Sequence, residues 1–390
     1  MDPKVIVAGV GMIPFAKPGA SAPYDEMGTE AARLALKDAG IGYDLVNQAY
    51  AGYVYGDSTA GQKAIYPLGL TGIPIVNVNN NCSTGSTALF LARQAVASGA
   101  ADCVLALGFE QMRPGALGGI FTDRPSPLAE FDKVADRLVQ NEEIPLALRY
   151  FGGAGLAHME RYGTKLATFA KVRAKASRHA ANNPLALFRK EVSEEEVLGA
   201  QVIWPGVMTR LMACPPTCGA AAAILVSPDF AKRHGLDASV GIAGQAMVTD
   251  LSSTFDSDDM MKVVGYDMAK DAADKVYDRV DQREVSEPAL RQCLKLSPWY
   301  PESREVFFRL GCMYREMRKY ERAFYCLNKA VTDGNGEGFF DLSVIWLELG
   351  TVARLLNKRA EAEAAFANSG LDPDAGSSWH YAGNDYLGKL

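Results

Sequence analysis

The stretch from Ile73 to Val96 constrains this chain more than any other. Ile73-Pro74-Ile75-Val76 has the length and apolar character of a buried strand. Ala88-Leu89-Phe90-Leu91-Ala92-Arg93-Gln94-Ala95-Val96 predicts a helix that is apolar on most faces. The residues between them, Asn77-Val78-Asn79-Asn80-Asn81-Cys82-Ser83-Thr84-Gly85-Ser86-Thr87, place Cys82 where a strand ends and a helix begins. The unpaired amides and positive dipole end of a helix N-terminus favour an anion. A thiol there ionises more readily, and the thiolate is the nucleophilic form. Ser83, Gly85 and Ser86 are small enough to let a substrate carbonyl approach the backbone. A lone cysteine is also a small, commonly buried hydrophobe. It is the placement, more than the residue type, that marks Cys82 as a candidate nucleophile.

The rest of the chain sets the frame. Its 390 residues predict two or three domains, and 48% hydrophobic with 22% charged residues is the balance of a water-soluble globular protein. The net charge of −6, without a basic block, argues against a nucleic-acid partner. Seven cysteines with no Cys-x-x-Cys pair fit a reducing compartment. Asp2 and Lys4 lead straight into a strand, so no signal peptide is expected, and no apolar run has the length of a membrane span. Cys214 and Cys218 lack a nearby His or further Cys, so no metal site is expected.

Val5 to Val10 reads as a first strand, followed by a helix from Asp25 to Ala39 that stops at Gly40. Gly9-Val10-Gly11 lacks the third glycine of a dinucleotide loop, with Pro14 nearby, and reads as a tight turn leaving the strand. Further strands are predicted at Ala49–Tyr55, Cys103–Gly108 and Val240–Met247, the stretch Cys214–Leu225 returns to the sheet, and a helix is predicted over Ser257–Tyr277. From about Met112 to Pro145 glycine, proline and charge are mixed, and helices come next at about 146–161, 164–181 and 193–200. Lys165, Lys171, Arg173, Lys175, Arg178 and His179 give one of these a basic bias, either a solvated face or an attraction for phosphates. Strand and helix alternate, which predicts a layered α/β fold.

Asn79-Asn80-Asn81-Cys82-Ser83-Thr84-Gly85-Ser86-Thr87-Ala88-Leu89 resembles the nucleophile segment of thiolases, and among them the sterol carrier protein X type. Gly52-Tyr53-Val54-Tyr55-Gly56-Asp57-Ser58, Val104-Leu105-Ala106-Leu107-Gly108-Phe109-Glu110, His158-Met159-Glu160-Arg161-Tyr162-Gly163-Thr164 and Gly265-Tyr266-Asp267-Met268 resemble it in the same order. The likeness runs from about residue 4 to about residue 278. It implies a thiolase-like N-terminal domain at 1–111 and 213–278, with an inserted loop domain at 112–212 covering the site. It also implies an acyltransferase of lipid or sterol side-chain oxidation, with coenzyme A as substrate and no further cofactor. Cys82 would be the acyl-accepting nucleophile and its amide a donor to the acyl oxygen. His158, Met159, Gly85 and Ser86 would line the substrate and coenzyme A site, and the chain would form a homodimer. The family usually has Asp where this chain has Cys218, so a hydrogen-bonded turn is expected to differ there.

Past residue 278 the family's His-Asp-x-Phe, Gly-His-Pro and Cys-x-Gly motifs do not occur, and the only histidine after His234 is His380. General acid–base help contributes roughly 10²–10⁴ in rate, and an oxyanion donor on the order of 10²–10³. The segment at 283–376 instead resembles tetratricopeptide repeats. Phe307, Leu310, Gly311, Tyr314, Ala323, Leu327 and Ala330 form one unit, and Trp346, Leu349, Gly350, Ala353, Ala362 and Phe366 a second. The expected whole is an α/β thiolase-like half followed by an all-α segment and a tail at 377–390. Two functions stay open: an acyl-coenzyme A transferase, or a thiolase-derived binding protein, natural fusion or joined gene product using its repeats to hold a protein partner. Leu387-Gly388-Lys389-Leu390 is near the Ser-Lys-Leu address, so a peroxisomal or cytoplasmic location is expected.

Overall fold

The computed structural model describes residues 5–113, 121, 123–139, 144–279, 303–332 and 342–370. The Gly334–Gly338 insert, His380 and the Gly388-Lys389-Leu390 end lie outside them. The chain divides into two compact units, Met1–Ala272 and Ala273–Leu390.

The first unit is built on a five-stranded sheet in the order β1-β7-β4-β2-β3. Its strands are β1 (Ile6–Met12), β2 (Gln48–Gly52), β3 (Ile75–Val78), β4 (Cys103–Glu110) and β7 (Gly219–Val226). The pairs β2–β3 and β2–β4 are parallel, while β7 runs antiparallel to both β1 and β4. Alternation along β4 sends its side chains to two cores. Leu105, Leu107 and Phe109 join Ala31, Ala35 of α1 (Tyr24–Ala39) and Ala64, Ile65 of α2 (Ala60–Ile65) on one face. Val104 and Ala106 join Ala92, Ala95 and Val96 of α3 (Thr84–Ala97) on the other. Both faces are covered, which accounts for the nearly continuous apolar runs of the central strands.

Gly9 and Gly11 lie inside β1 and form no turn. A Cβ at Gly9 would stand 2.4 Å from the Ala39 amide nitrogen, and one at Gly11 would stand 2.2 Å from the Ala31 carbonyl. The two glycines let α1 pack backbone to backbone on the strand. The strand expected over 240–247 is reduced to one bridge, Ile6 to Gly241, with Val7 N–H donating to Val240 at 2.9 Å and Ile242 N–H to Val5 at 3.0 Å. After α8 (Pro228–His234) and α9 (Ser253–Asp256), the helix expected over 257–277 is split, because Gly265 takes φ +99° between α10 (Met260–Val263) and α11 (Tyr266–Arg279).

Between β4 and β7 the chain leaves the sheet. It forms α4 (Ala129–Val139), α5 (Leu146–Tyr162), α6 (Leu166–Ala181), α7 (Glu194–Leu198) and a small hairpin of β5 (Val202–Trp204) and β6 (Met208–Thr209). Gly152 and Gly153 of α5 leave room for two neighbours. Cβ atoms there would lie 2.8 Å from the Trp204 ring and 2.9 Å from Val139 Cγ2. α7 starts on a full capping box of Ser193 and Glu196. Cys218 is fully buried. Ala16 and Cys218 exchange amide–carbonyl bonds of 3.0 and 2.8 Å, and the thiol reaches the Met112 carbonyl at 3.5 Å.

Past Arg279, the described residues of the second unit form α12 (Ser303–Glu316), α13 (Tyr320–Thr332), α14 (Leu342–Leu355) and α15 (Arg359–Ser369). They form two helical hairpins around one core that includes Phe308, Tyr314, Leu327, Ile345 and Leu349. The hairpin turns carry Arg318 and Asn357 at φ +56° and +58°. Close approach comes from Gly311, whose added Cβ would lie 2.5 Å from Leu327 Cγ, and Gly350, 2.6 Å from Phe366 Cδ1. Among the described residues no helix is long and apolar enough to cross a membrane.

Candidate active site

Helix α3 starts at Thr84, four residues earlier than its apolar pattern predicts, and Cys82 stands two residues before it. The chain turns at Asn81, whose φ of +48° is a left-handed conformation that Asn tolerates better than most residues. Asn80 fastens the turn. Its amide donates to Thr84 Oγ1 at 2.9 Å, its Nδ2 donates to Thr87 Oγ1 at 2.9 Å, and its carbonyl accepts from Ser83 Oγ at 2.7 Å. Ser83 is the N-cap residue, but its hydroxyl is spent on Asn80 and does not cap α3. The amides of Cys82, Gly85 and Ser86 therefore find no acceptor among the described residues. Cys82 itself is exposed, with Asn81 Oδ1 3.8 Å from its sulfur. An exposed thiol beside unpaired amides at a helix N-terminus can attack a carbonyl and hold the oxygen that becomes negative.

The turn rests on glycines. Gly52 and Gly108 are register partners at the ends of β2 and β4. A Cβ at Gly52 would lie 2.6 Å from the Thr84 carbonyl oxygen, and one at Gly108 would lie 3.4 Å from Gly85 Cα. One side of Gly85 is thus used for packing on the sheet, while the residue is otherwise exposed, as is Ser86. At the base of the strand, Asn77 Oδ1 accepts from Gly61 N–H at 3.0 Å and Asn77 Nδ2 donates to Gln62 Oε1 at 2.7 Å, fixing β3 to α2.

Two neighbours were not legible as site residues. Glu110 ends β4 and accepts from the amides of Val54 and Tyr55 at 3.0 and 3.1 Å. Burial raises its carboxyl above the ordinary carboxylate range, and those amides, with that of Gln111, oppose the shift. The Tyr55 phenol is raised first by burial, then by the charges of Glu110 and Cys82, with Arg113 opposing. On the other face Phe109 stacks between Tyr53 and Tyr24, at 5.1 and 5.3 Å between ring centres. In the sequence Glu110 closes one of the segments that resemble the family, but only its place after an apolar strand, where alternation turns it toward α3, bears on its role.

His158 and Met159 sit on α5. The His158 Nδ1 is 3.0 Å from Thr164 Oγ1, and its ring is 4.7 Å from that of Tyr162. Met159 packs against the core of Ile144, Trp204, Val207 and Met208. Among the described residues no hydrogen bond joins either of them to the Cys82 turn. Along α6, Lys171, Arg178 and His179 are exposed, while Arg173 is half-buried and donates to the Leu211 carbonyl at 3.0 Å.

The family model for the thiolase N-terminal domain matches residues 5–196. Non-specific lipid-transfer protein-like 2 of Caenorhabditis elegans is 40% identical over 284 residues, which cover 70% of this chain and 68% of that protein. The chain belongs to the thiolase family. Sterol carrier protein 2 of Oryctolagus cuniculus is 51% identical over 284 residues, covering 71% of this chain and 51% of the relative. This thiolase-family chain spans about half the length of that relative. A monomeric SCP2-thiolase-like protein type 1 from Mycobacterium smegmatis shares its fold, with a TM-score of 0.50 at 21% identity over 66% of this chain and 53% of the other.

Proposed function

We propose that this chain accepts an acyl group from an acyl-coenzyme A thioester onto Cys82, as the first half of a thiolase-type transfer. The observation that carries the reading is the exposed Cys82 sulfur beside the unpaired amides of Cys82, Gly85 and Ser86. The Cys82 thiolate attacks the thioester carbonyl, and the amides meet the charge that develops on its oxygen. The bond from the carbonyl carbon to the coenzyme A sulfur then breaks. Coenzyme A leaves as a thiolate and takes up the proton that Cys82 released. A 3-oxoacyl-coenzyme A substrate would instead be cleaved between its α and β carbons, giving the acyl-enzyme and acetyl-coenzyme A. His158, with Nδ1 engaged by Thr164, keeps its other ring nitrogen for a substrate group, and Met159 lends the neighbouring apolar wall. A lipid-derived acyl chain is favoured by the names of the relatives, a sterol carrier protein and a lipid-transfer-like protein. The exposed Val76 on the edge strand β3 supports a homodimer.

A second reading is favoured by a specific observation. The segment after residue 278 lacks the family's His and Cys motifs and carries two helical hairpins. In that reading the chain binds a protein partner through α12–α15 and does not turn over. Intact-protein mass after incubation with octanoyl-coenzyme A separates the two. One octanoyl adduct on the native chain, absent from Cys82→Ala, supports the transferase; a folded chain without adduct supports the binding protein.

A further inference from the structure

We propose that Glu110 is a positioning residue for Cys82: its carboxylate, bridging the amides of Val54 and Tyr55, holds the segment after β2 in place and, through Gly52 against Thr84, seats the turn that carries the nucleophile. The inference deepens the reading of Cys82 as acyl acceptor and rests on it. Three features of the fold converge on this role. First, β4 ends with alternating side chains, so Phe109 faces α1 while Glu110 faces the α3 side where Cys82 stands. Second, the segment after β2 has few other anchors. Tyr53 N–H bonds to Val78, and its ring stacks on Phe109, but the Val54 and Tyr55 amides are both given to Glu110, at 3.0 and 3.1 Å. Third, Gly52 immediately before that segment lies against Thr84, so a displacement of residues 53–56 is passed directly to the first turn of α3. A carboxylate is suited to this task because both of its oxygens accept. A glutamine in its place keeps one acceptor and presents an NH₂ group to the second amide, leaving that amide unpaired.

The test uses the full chain with Cys214→Ser and Cys293→Ser. Cys214 is exposed and Cys293 lies outside the described residues, so the remaining cysteines with described surroundings are Cys82 and buried ones. Two rates are measured: alkylation of Cys82 by N-ethylmaleimide, and its acylation by octanoyl-coenzyme A. In Glu110→Gln the loosened turn no longer fixes the thiol, so its alkylation rate changes severalfold. Acylation falls by about tenfold, the equivalent of one lost hydrogen bond, at unchanged half-saturation. Glu110→Asp, which keeps both acceptors, recovers part of each effect. Cys103 and Cys218 stay unlabelled throughout, which separates loss of positioning from loss of fold. Alkylation and acylation equal to the parent in Glu110→Gln overturn the proposal. If the parent is not acylated at all, the acyl-acceptor reading fails, and the alkylation rates alone decide the role of Glu110.

Discussion

Gly52, the last residue of β2, lies directly against Thr84, the first residue of α3. A Cβ at Gly52 would stand 2.6 Å from the Thr84 carbonyl oxygen and 2.7 Å from its Cγ2. The nucleophile turn is therefore seated on the sheet by backbone contact, and Gly52→Ala must push it away. We expect a loss of about 1–3 kcal/mol in urea unfolding, the usual range for overpacking, together with loss of acylation at Cys82.

Thr84 also works through its hydroxyl, which is buried, accepts from the Asn80 amide at 2.9 Å and donates to the Asn81 carbonyl at 2.5 Å. Thr84→Val keeps the shape and removes both bonds. The Asn81 carbonyl still accepts from the Thr84 amide at 3.2 Å, but the Asn80 amide is left unpaired, which costs about 1–3 kcal/mol, measurable by urea unfolding. Cys82 should also react with small alkylating agents at an altered rate, because Asn80 and Asn81 are the residues that aim it.

The forces that decide each element set how much of it was readable in the sequence. The cysteine and the helix behind it were legible, because Ala88, Ala92 and Val96 keep an apolar pattern that burial then enforces. The strand before them is present, but it runs over Ile75–Val78 at the sheet edge with Val76 exposed, where the apolar run at 73–76 suggests a buried strand. The true start of α3 was hidden. Thr84, Gly85, Ser86 and Thr87 are poor helix formers, and only the packing of Gly85 on Gly108 and the Asn80 bonds hold them in a helix. The Val240–Met247 run has strand-like composition but pairs with β1 through little more than Ile242 and Val240. Gly311 and Gly350 could be read as close-approach points because helical spacing sets which face they occupy. Glu110 could be placed on a strand, but the two amides it holds come from 55 and 56 residues away and left no mark in sequence.

Cys103 gives a prediction about alkaline pH. It is fully buried, and burial first, with the charge of Asp102 adding, pushes its thiol up to about 12 from an ordinary 9.0. The folded chain keeps this proton while the unfolded chain loses it, so stability falls as pH rises from about 9 toward 12. The slope from this one group is at most about 1.4 kcal/mol per pH unit. Cys103→Ala lacks that component, so between about pH 8 and about pH 10 its urea midpoint should fall less than that of the native chain.

In the second unit, Gly311→Ala places a methyl 2.5 Å from Leu327 Cγ and 2.7 Å from its Cδ2. The α12–α13 hairpin should lose about 1–3 kcal/mol, read as a lower melting temperature for the helical signal. Gly350→Ala, facing Phe366 at 2.6 Å, should act the same way on α14–α15.

The role proposed for Cys82 as acyl acceptor is tested by peptide mapping after a single-turnover reaction with octanoyl-coenzyme A, with the released coenzyme A thiol counted in the same sample. One octanoyl group is expected on the peptide that contains Cys82, with one equivalent of coenzyme A released, and neither in Cys82→Ala. Acyl groups carried by Cys214, or no adduct on a folded chain, would contradict it.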